Sequence, residues 1–239
     1  MKFRALFGRG NTRGYEKNRC TVQLAGMIAV CTLFTACQST PVQTSVFRRD
    51  FKPDNIFVYP PRLALEFRRV AVLPIAAAST DGDLPAGCEA LAPVLIEQLV
   101  KTKKFEAVPV DGENFLMPRT GRTAWTGRET LPPNFFDDLR REYDCDGVLF
   151  AELTTYRAYA PLAVGWRFKL VDARTKQIIW AADELFDASQ TDVRKAAVKF
   201  DEKAPILPVI TDKDWAMLNS PRRFGRYTAA ALLETLPER

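Results

Sequence analysis

Residues 164–183, VGWRFKLVDARTKQIIWAAD, decide how this chain folds. Val164, Trp166, Phe168 and Leu170 alternate with Gly165, Arg167 and Lys169, a period of two that belongs to a strand with one dry and one wetter face. Asp172–Lys176 reads as a turn, and Gln177–Asp183 returns as a further strand. One step upstream, Asp144-Cys145-Asp146-Gly147 leads from a turn into the strand Val148–Thr154. The connections are short enough for hairpins, so residues 147–186 form an antiparallel meander.

Further upstream the pattern changes. Arg68–Ile75 (RRVAVLPI) is a continuous apolar run of the kind found in strands covered on both faces, with Pro74 marking its end. An amphipathic helix follows over 86–103, where Leu91, Val94, Leu95, Gln98 and Leu99 share one side. Lys101, Lys103 and Lys104 crowd its last turn, where cations suit the helix dipole. Phe105–Val110 is a second short strand, and strand, helix, strand is the order that makes a parallel pair. A helix over 135–142 has Asn134 as its N-cap and Asp137 and Asp138 in its first turn. Helical segments at 190–201, with Thr191 as a candidate cap, at 215–218 and at 224–236 close the chain. Arg222, Arg223 and Arg226 form a solvated or interface-facing cluster at the start of the last. The expected fold class is α/β (α+β): a mixed sheet of about five strands, parallel in its N-terminal part and an antiparallel meander in its C-terminal part, flanked by helices.

Residues 111–133, DGENFLMPRTGRTAWTGRETLPP, contain three glycines and three prolines and read as a long loop or broken hairpin. Long irregular connections in compact domains are often functional. Arg119, Arg122 and Arg128 flank Trp125, and these two residue types are favoured in interface hot spots. The four are candidate partner-binding residues. The competing reading is a solvated insertion with Trp125 pinned to the core, and the sequence alone does not choose.

The N-terminus has a different character. Six basic residues lie in the first 20 positions, and residues 21–36 (TVQLAGMIAVCTLFTA) carry no charge. A basic start, a short apolar core and a small-residue exit make a secretory signal, and the apolar run is shorter than the roughly 20 residues a spanning helix needs. Leu33-Phe34-Thr35-Ala36-Cys37 then resembles a bacterial lipobox, with Phe34 where Leu is usual. That reading makes residues 1–36 a lipoprotein signal peptide and Cys37 the lipidated first residue, anchoring the chain in a membrane. An ordinary secretory signal, cut after Ser39, is the alternative. By resemblance to enterobacterial lipoproteins, Gln38 favours the outer membrane, facing the periplasm. Residues 37–64 form a polar, proline-containing tether, and 65–239 a single domain. The tether's aromatic residues, Phe47, Phe51, Phe57 and Tyr59, are expected to pack on the domain first and on a partner second.

Removing residues 1–36 takes away six of 34 basic and one of 29 acidic residues, which leaves 28 of each. The precursor's charge of +5 therefore belongs to the signal, and no basic footprint for nucleic acid remains. The chain has no histidine. That excludes Ser-His-Asp and Cys-His sites and histidine-bound metal, and it removes the side chain most used in general acid–base catalysis. No catalytic residue, metal ligand or cofactor is assigned. A carboxylate enzyme built on Asp81, Asp83 and Glu89, which follow the first strand where open α/β sheets bind ligands, is a minor alternative to a solvated acidic loop. Cys88 and Cys145 are expected to be free. The strand order sets them at opposite ends of the sheet, beyond disulfide reach.

Arg69-Val70-Ala71-Val72-Leu73-Pro74, Asp144-Cys145-Asp146-Gly147-Val148-Leu149 and the hairpin Phe168–Trp180 together resemble the periplasmic lipoproteins related to CsgG, LpoB and the N-terminal domain of TolB. The resemblance covers about residues 65–190. It departs at Lys176, where the family turn often has Gly, and at Cys145, where Ala is common. It implies a non-catalytic outer-membrane lipoprotein whose domain docks on other envelope proteins, and it leaves a homo-oligomer open. A subunit of an outer-membrane secretion complex is the alternative, although the chain shows no pair of long alternating segments that would make membrane hairpins.

Overall fold

The computed structural model describes residues 51–202 and 213–239. The signal, Cys37 and the first part of the tether lie outside the described residues, so the anchor reading is carried by the sequence alone. Among the described residues, seven strands make one mixed sheet in the order β1-β7-β6-β5-β2-β4, with β3 paired to β5. The strands are β1 (Ile56–Val58), β2 (Arg69–Val72), β3 (Ala76–Ala77), β4 (Glu106–Pro109), β5 (Gly147–Arg157), β6 (Ala163–Asp172) and β7 (Ile178–Asp187). The helices are α1 (Leu84–Thr102), α2 (Met117–Thr120), α3 (Phe135–Tyr143), α4 (Thr191–Glu202), α5 (Lys213–Leu218) and α6 (Pro221–Leu233). β2 runs parallel to both β4 and β5, and β5, β6 and β7 form the antiparallel meander.

The five strands legible in the sequence are all present, and two more join them. Pro74 interrupts the first strand without ending its course. It lacks the N–H that a ladder needs, yet Ala76 and Ala77 resume parallel pairing with Glu152 and Leu153. The other addition is β1, which pairs antiparallel with β7 at Ile56–Ala182, Phe57–Ala181 and Val58–Trp180. The tether expected to reach residue 64 therefore joins the domain earlier, and the ring of Phe51 meets that of Phe186 edge-on at 5.3 Å. Pro60 and Pro61 follow β1 after one residue, Tyr59. A short strand stopped by prolines is a protected sheet edge.

One face of the sheet is covered by α1, α4 and α6. Trp166, Phe168 and Trp180 stack across it with centroid separations of 5.1 and 5.9 Å. Each such ring contributes about 2–3 kcal/mol by leaving water. The indole N–H groups need acceptors on this dry side, and the C-terminal helical region supplies both. Trp166 Nε1 donates to Thr228 Oγ1 at 2.9 Å, and Trp180 Nε1 to Thr235 Oγ1 at 2.9 Å. α6 begins at Pro221 behind Ser220, whose hydroxyl accepts from the Arg223 N–H. Its Gly225 lies so close to Leu91 of α1 that a β-carbon there would collide with that buried side chain.

Two capping expectations change. Asn134 precedes α3, but its side chain makes no cap hydrogen bond. Thr191 is the first residue of α4 rather than the residue ahead of it. Cys88, half-buried, and Cys145, buried, are both free thiols, and burial raises each pKa to about 11. The β6–β7 turn is held by Asp172 Oδ1, which accepts from the N–H groups of Arg174 and Thr175 at 2.8 and 2.7 Å. Lys176 in that turn sits at φ 61°, left-handed backbone that suits Gly.

Two substitutions test this account in urea denaturation. Thr228→Val leaves the buried Trp166 N–H without an acceptor and should cost about 1–3 kcal/mol. Lys176→Gly relieves the positive φ and should raise stability by about 1 kcal/mol.

Candidate functional site

The second face of the sheet is only partly covered. Residues 111–143 lie over β2 and the first half of β5, where Phe115, Leu116, Trp125, Phe135 and Leu139 pack on Ala71, Leu73, Val148 and Phe150. Residues 121–134 are the irregular connection expected, while the part before them is helical. Asp111 accepts from Asn114 N at 2.8 Å and opens a π-helical turn, Gly112–Leu116, which runs into α2.

The arginine–tryptophan cluster divides between inside and outside. Trp125 is buried, its ring 5.8 Å from that of Phe135, and its Nε1 donates to Thr120 Oγ1 at 3.0 Å. The core reading of Trp125 is the one realised. The three arginines stay exposed around it. Arg119 lies over the Phe115 ring at 4.0 Å and donates to the Phe115 carbonyl at 3.0 Å. Arg122 lies 5.1 Å from the Trp125 ring centre and pairs with Glu129 at 2.6 Å. Burial works against the Glu129 charge, but the Thr126 N–H and Arg122 outweigh it and hold the carboxyl below its ordinary pKa.

Arg128 reaches onto the sheet. Its Nη2 lies 2.6 Å from Glu152 Oε1, while Arg167 Nη1 lies 3.1 Å from the other carboxylate oxygen and Arg167 Nε lies 2.6 Å from Asp183. Glu152, Arg167 and Asp183 are direct cross-strand partners on β5, β6 and β7. With its side chain only 2% exposed, Glu152 is a buried charge paired on both oxygens. Burial opposes the Arg167 charge, and its bonds to Asp183 and Glu152 more than offset that, so its pKa is raised. In the neighbouring row, Lys169 Nζ donates to the Gly127 carbonyl and pins the same segment. Burial, then the nearby Arg167, push the Lys169 pKa down.

That second row runs Phe150, Lys169, Ala181, Phe57 across four strands. It passes from full burial under α3 to open surface, where Phe57 is 51% exposed. Tyr59 and Ile178 are exposed large side chains beside it, while Leu185, also exposed, lies near the far end of β7 opposite Gly165. Phe57, Tyr59, Lys176, Gln177, Ile178 and Ala181 enclose a shallow depression there. Phe57 and Tyr59 thus keep their rings on the outside even though their backbone joins the sheet.

The row of alternating charges is the part that sequence reasoning missed. Its signal was one carboxylate, Glu152, inside an otherwise apolar strand, opposite an arginine already assigned to the wetter face. Asp81, Asp83 and Glu89 do not converge on a site. All three are exposed, Asp81 bonds only the nearby Ser79 hydroxyl at 3.1 Å, and Asp83 makes no cap bond to α1. Among the described residues there is no group of His, Cys, Asp and Glu side chains that could hold a metal, and no helix is long and apolar enough to cross a membrane.

No protein-family model matches the chain, and no curated protein matches it. Several solved structures are similar. A PelC dodecamer from Paraburkholderia phytofirmans is 14% identical, with 77% of this chain and 96% of that chain covered and a TM-score of 0.42. Lipoprotein GNA1162 from Neisseria meningitidis is 17% identical over 52% of this chain and 86% of that one, with a TM-score of 0.38. The LpoB C-terminal domain from Salmonella enterica is 15% identical over 51% and 83%, with a TM-score of 0.32. The similar structures therefore include a bacterial lipoprotein, and at these identities and TM-scores they assign this chain to no family.

Removing the Glu152 carboxylate tests the polar row. Glu152→Ala leaves Arg167 half-buried and without one of its two partners. The cost expected is about 2 kcal/mol, less than for a fully buried pair because Arg128 is largely solvated. Amide exchange at Thr126–Glu129 should quicken in the same variant, since the segment loses one of its two polar ties to the sheet and keeps only that of Lys169 to the Gly127 carbonyl.

Proposed function

We propose that the chain is an envelope lipoprotein, acylated at Cys37, held at the outer membrane on the periplasmic side, and that it works by docking on another envelope protein rather than by catalysis. The observation that carries the docking half is the uncovered end of the second sheet face. Phe57, Tyr59 and Ile178 present apolar area there, and exposed large apolar groups beside a polar rim are the composition of interaction sites. Arg119, Arg122 and Arg128 line the covered side of that face and are its candidate partner-binding residues. Lys176 lines the depression itself, whereas Arg122 and Arg128 are already paired with Glu129 and Glu152, so the partner this face fits is a protein with an apolar projection. The anchor half rests on the basic start, the uncharged stretch and the lipobox-like exit at Leu33–Cys37.

Photo-crosslinking residues placed at Phe57 and at Ile178 of the full chain, in intact cells, test both halves together. A discrete adduct with one envelope protein is expected at both positions, weakened by Arg119→Glu and Arg122→Glu. Cys37→Ser should move the chain out of the membrane fraction and reduce the adduct. Absence of adducts at both positions rejects docking through this face, and a Cys37→Ser chain that stays in the outer membrane rejects the lipid anchor.

A further inference from the structure

Helix α1 departs from the usual pattern of a helix at the surface of a domain. Its inner side carries Leu91, Val94, Leu95, Gln98 and Leu99 into the core. The outer side should then be polar, but the 19 residues of the helix hold only three charges, Glu89, Glu97 and Lys101. Ala86, Pro93 and Val100 recur every seven residues along the outer crest, the spacing at which side chains line one side of a helix. All three are exposed, Val100 by 58%, and Ala90 is exposed beside them. Pro93 also removes an N–H from the helix interior, a place where proline is costly.

The charges divide along the helix. Residues 70–100 contain no Lys or Arg. Asp83 and Glu89 stand exposed at and near its start, and Lys103 stands exposed just beyond its end. None of the three has an ion-pair partner among the described residues. Between them, Glu97 is already paired with Lys101 at 2.6 Å. Asp83 and Lys103 are each ten residues from Pro93, and Ala86 and Val100 are each seven. The crest therefore reads the same in both directions, with the sign of the end charges exchanged. A surface with that pattern is complementary to a copy of itself turned about a two-fold axis.

We propose that the outer side of α1 pairs with the same side of α1 in a second copy of the chain, antiparallel about a two-fold axis at Pro93. Ala86 of each copy then lies level with Val100 of the other, and Asp83 level with Lys103. The small side chains of Ala86 and Ala90 let the two helices approach closely. The pairing leaves the docking face free, because α1 covers the opposite face of the sheet. One helix pair makes a small interface, so an affinity in the micromolar range is expected.

The test is sedimentation velocity of the full chain in mild detergent, at concentrations up to roughly 100 μM, where a micromolar dimer is well populated. A monomer–dimer equilibrium is expected. Val100→Lys and Ala86→Lys, both at exposed positions and at unchanged Tm, should abolish the dimer, while Phe57→Asp on the docking face should leave it intact. Asp83→Lys and Lys103→Glu should each weaken it about tenfold by setting like charges level with one another. An equimolar mixture of those two variants should regain the affinity of the unaltered chain, since each then meets the opposite charge. A chain that stays monomeric over that range overturns the proposal. So does a dimer that persists in whichever crest variant folds, a dimer lost in Phe57→Asp, or a charge-variant mixture no tighter than its components.

Discussion

Two hydrogen bonds from indole nitrogens to threonine hydroxyls hold this domain's layers in register. The stack of Trp166, Phe168 and Trp180 supplies the largest block of apolar area on the helical side of the sheet, but a tryptophan can be buried there only if its N–H is satisfied. Thr228 and Thr235 do this from the C-terminal helical region, and each passes its own proton back to a carbonyl one turn earlier, Gly225 and Leu232. The last helix is thereby fixed in rotation as well as position. The close approach of Gly225 to Leu91 then sets where α1 crosses it. Packing that began as an oily face on a strand ends as a specific arrangement of three layers.

The opposite face follows a different rule. Where α3 covers the sheet, the contacts are rings on rings. Where the cover stops, the chain switches to charge, and the row Glu152–Arg167–Asp183 makes the transition. A carboxylate this deep survives only with both oxygens paired, and one of its partners, Arg128, arrives from the irregular segment. The segment's position is thus dictated by electrostatics on one side and by Trp125 in the core on the other.

Much of the strand plan was legible because the alternation in 164–170 and the apolar run at 70–73 are strong local signals. The longer helices followed from spacing, with ends displaced by a few residues, whereas α2 and the π-helical turn ahead of it fall in a stretch read as loop. β1 escaped notice because Pro53, Pro60 and Pro61 surround it, and proline is a local signal that says nothing of a three-residue strand fitted between such residues at an edge. β3 escaped because two alanines after a proline carry no period. At the candidate site, the arginines and Trp125 were picked out together by their sequence proximity, whereas the fold sends the indole inward and leaves the guanidinium groups outside. The Glu152 row joins residues 152, 167 and 183, and only the register of three strands brings those together. What decides between a partner surface and a solvated one is similarly non-local: the cover over the sheet face that carries Phe57 comes from α3, which ends 86 residues later in the chain, at Tyr143.

The order of the strands has a mechanical side. β1 is the strand nearest the N-terminal linker, and it occupies the outermost place in the sheet, held by only three residue pairs. Tension arriving along that linker would therefore peel a few backbone bonds in sequence instead of shearing a long ladder at once. Release would stop soon afterwards, because Leu63 donates to the Glu238 carbonyl at 2.7 Å and Glu238 donates to that of Pro61 at 3.1 Å. The two ends of the described chain are fastened to each other, so the body of the domain is shielded from a pull that lengthens its leash by only a few residues.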